Sequence, residues 1–95
     1  MAKMRTIVRI AGREYPIASS DSEEYVRRVA GYVDRKIAEL SQATRLPALE
    51  SATLAAVTIA DELAKSREEI ARLRAQMEAE RDELARLRAE KGDEI

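Results

Sequence analysis

Apolar residues recur every seven positions in the C-terminal half of the chain: Leu63, Ile70, Met77 and Leu84, with Leu73 and Leu87 three residues after the second and the fourth. A stripe sustained over about four heptads is the seam of a coiled coil, not the face of a lone surface helix. With Leu63 at position a, the d positions are Ser66, Leu73, Glu80 and Leu87, so six of the eight seam positions are apolar. The e positions are all arginine (Arg67, Arg74, Arg81, Arg88) and the g positions are Glu69, Gln76, Glu83 and Glu90. A parallel pair sets g against the next e of its partner, giving Glu69–Arg74, Gln76–Arg81 and Glu83–Arg88. An antiparallel pair sets Glu against Glu and Arg against Arg. The pattern predicts a parallel two-stranded seam built from Leu63, Ile70, Leu73, Met77, Leu84 and Leu87. Each exposed pair contributes only about 0–1 kcal/mol, but e and g charges select the partner. The alternative, one solvated helix laced with ion pairs, leaves the Leu/Ile/Met stripe bare.

Upstream, Leu54, Ala55, Ala56, Val57, Ile59 and Ala60 are apolar on nearly every face, which predicts burial. One helix from about Pro47 to Lys91 is expected, with its first third inside a globular head and the rest outside as a stalk, spanning about 65 Å. Pro47 suits a first-turn position.

Thr6–Ile10 and Tyr15–Ala18 read as two strands of a hairpin around Gly12-Arg13, a Gly-X type II′ signature. A two-residue loop there sets Ile10 opposite Tyr15 and Val8 opposite Ile17, all on one face. Pro16 cannot donate to a ladder, so its strand is expected at an edge or irregular. A capping box, Ser20 with Glu23 or Asp21 with Glu24, opens a helix to about Gln42. Its apolar stripe is Tyr25, Val26, Val29, Ala30, Val33, Ile37 and Leu40. Gly31 lies inside it, either for a close backbone approach or simply tolerated. Ala43–Pro47 is a loop. The fold class is α+β: a small ββα head at 1–62, which includes the start of the long helix, and a coiled-coil stalk at 63–95.

Composition narrows the function. A head of about sixty residues without Phe or Trp is marginal alone; shared burial in a dimer is the expected remedy. With no Cys there is no disulfide framework or thiol chemistry, and with no His the commonest general base and metal ligand are missing. Gly12 is not part of a phosphate loop, and Ser19, Ser20 and Ser22 have no neighbouring base. No catalytic residue, metal site or cofactor is expected, and the chain is read as non-enzymatic. No apolar run is long enough for a membrane span or a standard signal, so a cytoplasmic location is expected. Charge is uneven: residues 1–18 carry Lys3, Arg5, Arg9 and Arg13 against Glu14, whereas residues 48–95 carry twelve acids against eight bases. An acidic partner would meet the basic hairpin. Three readings stay open. Paired heads bind a protein partner at a spacing set by the stalk; a ribbon carrying Arg5, Ile7 and Arg9 enters nucleic acid; or the coiled coil regulates an unrelated complex. The bases also fit a solvated outer face whose charge protects the sheet edge.

Three segments together resemble the ZapA family of Z-ring-associated cell-division proteins. They are Val8-x-Ile10-x-Gly12-x-x-Tyr15-x-Ile17, then Ser22-Glu23-Glu24-Tyr25-Val26 running into Ala30-Gly31-Tyr32-Val33-Asp34, then Ala55 to Leu63. The family's usual Leu-Asn is Val57-Thr58 here. The resemblance covers roughly residues 5–65, and the stalk agrees in type. It implies a cytoplasmic bacterial protein at the division site that binds FtsZ, the acidic tubulin homologue, and cross-links its protofilaments. It also implies that two parallel dimers join through their stalks into an antiparallel tetramer. The resemblance also maps the family's charged partner contacts onto Arg13 in the hairpin turn, Arg45 in the loop before the long helix, and Glu50. The ribbon-type nucleic-acid-binding dimer is the alternative.

Overall fold

The computed structural model describes residues 3–93. Two strands, β1 (Met4–Ile10) and β2 (Arg13–Ser19), are followed by α1 (Glu23–Thr44) and α2 (Ala48–Asp93). The fold is α+β, a two-stranded antiparallel sheet with a long C-terminal helix. The chain divides into two units between Ile59 and Ala60.

In the first unit the hairpin turns one residue earlier than the Gly-X signature predicts. Ile10 pairs with Arg13, Val8 with Tyr15 and Thr6 with Ile17, so the loop is Ala11-Gly12 and not Gly12-Arg13. Both loop residues have positive φ, 52° at Ala11 and 79° at Gly12. That makes the turn type I′, not II′. A left-handed alanine costs about 1–2 kcal/mol. It is held by the Asp34 carboxylate, which accepts the Ala11 N–H at 2.8 Å. The pairing moves by two residues, an even step, so the expected shared face of Val8, Ile10, Tyr15 and Ile17 survives.

Pro16 stands opposite Ile7. Counting outward from the hydrogen-bonded closing pair, this is a non-hydrogen-bonded pair, where the missing N–H would have pointed away from β1. The strand therefore stays regular through the proline. The Ile7 carbonyl points outward for the same reason, and Arg27 donates to it at 3.2 Å. Glu23 steadies that guanidinium at 2.6 and 3.0 Å.

Ser22 caps α1, not Ser20 or Asp21: its hydroxyl accepts the Tyr25 N–H, and its carbonyl accepts from Val26 at 3.0 Å. With tyrosine three residues after the cap, no capping box forms. Ser19 and Asp21 instead bond each other in the connection. The helix runs to Thr44, two residues past the expected end, and leaves Arg45–Pro47 as the link to α2. Pro47 lies just outside α2 and accepts the first helical bond, from Ser51 at 3.0 Å.

β1 packs on α1, with Val8, Val26 and Ala30 as the core and Ile10 and Ile17 against it. The two elements run in the same direction: Arg27 reaches Ile7 and Asp34 reaches Ala11. Seven helical residues rise about 10 Å while four strand residues advance about 13 Å, so both tethers close together. Ile37 is also buried, whereas Tyr25 and Val29 of the predicted stripe are nearly half exposed. Gly31 is open: an added Cβ would meet only Arg35, at an ordinary 3.9 Å.

The apolar start of α2 is not buried as expected. Ala55 is 1% exposed, but Val57 is 61% and Leu49 76% exposed, and Leu54 is also open. A helix apolar all round needs cover on several sides, and one chain of this size supplies it on one.

Candidate protein-binding surfaces

Arg13, Arg45 and Glu50 are all exposed. Arg13 follows the turn and closes it opposite Ile10. Its position is fixed by the ladder on one side and by the Asp34 bond at Ala11 on the other. Arg45 ends α1 in the left-handed region, at φ 56°, with its N–H on the Ser41 carbonyl at 2.9 Å. Glycine is the usual residue there; arginine accepts the strain and projects a charge from the helix end. Glu50 lies in the first turn of α2, where a carboxylate favours the exposed N–H groups. It also lines an open apolar recess of ≈ 320 Å³ with Leu46, Leu49, Thr53 and Leu54.

The structure groups these residues as one and two. Arg45 and Glu50 flank the same short connection. Arg13 follows the turn whose Ala11 is tied to α1 at Asp34, about 16 Å of helix rise before Arg45. Two residues with no predicted role hold these surfaces in place. Ser51 is fully buried and donates its hydroxyl to the Leu46 carbonyl at 3.2 Å, bracing the connection. Asp34 braces the hairpin. Ser51 carries no local sequence signal; Asp34 lies within the quoted family segment but its partner is 23 residues away.

In the second unit the six seam residues are open to solvent in the single chain, 46–58% exposed. Glu69 and Glu83, at g, pair within the helix with Arg72 and Arg86, and Arg86 also reaches Glu90 at 2.8 Å. Asp61 holds Lys65 at 2.9 Å, and this hydrogen bond raises the ammonium above its ordinary value. Among the described residues, the e-position arginines form no ion pair within the chain, which leaves them available across a seam.

Among the described residues, no cluster of His, Cys, Asp or Glu could hold a metal ion, and no helix is long and apolar enough to cross a membrane.

A family model described as "Cell division protein ZapA" matches residues 7–90. A cell division protein ZapA of Geobacillus kaustophilus is 42% identical over 79 residues, covering 82% of this chain and 87% of that protein. One from Geobacillus thermodenitrificans is 42% identical over 81 residues, with the same coverage. Among solved structures, a mutant ZapA dimer from Geobacillus stearothermophilus superposes with a TM-score of 0.67 at 40% identity, covering 82% of this chain and 92% of that one.

Proposed function

The chain belongs to the ZapA family of cell-division proteins, and from that membership we propose that it binds FtsZ and cross-links its protofilaments. In this reading it acts in the cytoplasm at the division site, without catalysis. Residues Leu63 to Leu87 form a parallel coiled-coil dimer, two dimers join into a tetramer, and Arg13, Arg45 and Glu50 meet the filament. The observation that carries the proposal is the seam: six apolar side chains at heptad spacing, about half exposed on one uninterrupted helix. A protein with paired binding units on a shared coil is bivalent, and bivalency is what bundling requires. The solved relative is itself a dimer, which supports self-association.

The ribbon reading has no such support. Arg9 lies opposite Glu14 and turns its guanidinium to the Gly12 carbonyl at 3.5 Å, so part of the basic face answers its own hairpin.

Sedimentation of the purified protein with and without FtsZ polymers tests the proposal. The protein is expected in the pellet only with polymers, alongside thicker filament bundles by electron microscopy. A protein that stays in the supernatant with FtsZ, yet is retained on duplex DNA in a salt-dependent manner, would overturn it in favour of the ribbon.

A further inference from the structure

The Ala11-Gly12 turn is joined to the middle of α1 by the hydrogen bond from the Ala11 N–H to Asp34 Oδ1. Its surroundings give this bond a particular role. On one side of the turn Ile10 packs against the apolar core, but at its tip a Cβ built on Gly12 would meet nothing within 4 Å. The apolar core of hairpin and helix is centred further back, at Val8, Val26 and Ala30, the last of them one helical turn before Asp34. The core thus fixes the strands, and the carboxylate fixes the turn. Arg13 is the first residue after that turn.

We propose that Asp34 is a positioning residue for the binding surface, holding the turn on α1 so that Arg13 meets its acidic partner already oriented. A turn released from α1 would have to be ordered on binding, and that ordering weakens affinity. The inference rests on the FtsZ-binding reading above.

The test combines co-sedimentation with FtsZ polymers and amide exchange in Arg13→Ala, Asp34→Ala, the double variant and Asp34→Asn. Arg13→Ala and Asp34→Ala are each expected to weaken binding several-fold, while Asp34→Ala adds nothing in the Arg13→Ala background. The Ala11 amide should lose protection in Asp34→Ala, with helix content unchanged by circular dichroism. Asp34→Asn keeps an acceptor oxygen and should bind nearly as the parent does. If Arg13→Ala binds like the parent, the assignment of Arg13 to the interface fails, and this inference with it. If Arg13→Ala weakens binding but Asp34→Ala does not, or if the two losses multiply in the double variant, the positioning role alone is overturned. An Asp34→Ala chain that does not fold also overturns it, because the carboxylate would then hold the fold and not the turn.

Discussion

Ile70 and Leu73 lie three residues apart on one side of α2, and both stand nearly half exposed, at 46% and 47%. That spacing is the a-to-d step of a seam. In a parallel dimer, Leu73 of one chain faces Leu73 of the other. Leu73→Cys, in a chain with no other cysteine, should therefore cross-link on mild oxidation, since matching d positions fall within disulfide range. Non-reducing electrophoresis reads the result. Cross-linking only in a mixture of Leu73→Cys and Leu87→Cys would mean that the chains run in another register or direction.

Arg13→Glu and Arg45→Glu should each weaken co-sedimentation with FtsZ about tenfold, or about 1.4 kcal/mol, with the helical circular dichroism unchanged. Binding of the parent should fall as salt rises. Because Arg13 opens β2 and Arg45 caps the far end of α1, their losses should add in the double variant. Parent-like bundling by both single variants would place the interface elsewhere.

Glu80 is the acidic residue among the eight seam positions. Two carboxylates facing each other across a parallel coil repel, and burial disfavours their charge. Glu80→Leu should raise thermal stability by about 1–3 kcal/mol, the value of burying a leucine. A shift in oligomer mass by analytical ultracentrifugation would add that Glu80 selects the assembly, as single polar seam residues do. A less stable variant would show Glu80 to be paired in the assembly.

Gly31 interrupts α1 without a close neighbour in its own chain. Gly31→Ala should stabilise the protein by about 0.5–1 kcal/mol through helix propensity, visible as a higher midpoint of thermal unfolding. A lower midpoint, or loss of the dimer, would reveal another chain's backbone pressed against that site.

The two helices were legible because each repeats one rule many times. The stripe of α1 and the heptads of α2 survive an error at any single residue. The hairpin was legible in its faces but not in its turn. Gly12 points equally well to either neighbour, and the choice is made by Asp34, distant in sequence. Arg45 was readable as a loop cation, but nothing local announces a left-handed arginine where glycine is usual. The start of α2 is buried only in part within the single chain, at Ser51 and Ala55. Its composition calls for burial on several sides, whereas Leu49 and Val57 stand open in the single chain.

Pro16 and Arg27 together decide how this molecule can grow. A two-stranded sheet has two free edges, and each invites a further strand from a neighbour. On β2, the outward position at mid-strand belongs to a proline with no proton to offer. On β1, the outward carbonyl of Ile7 is already taken by Arg27. Both margins are sealed at their midpoints, so copies of the chain are steered away from stacking edge to edge into a fibre of their own.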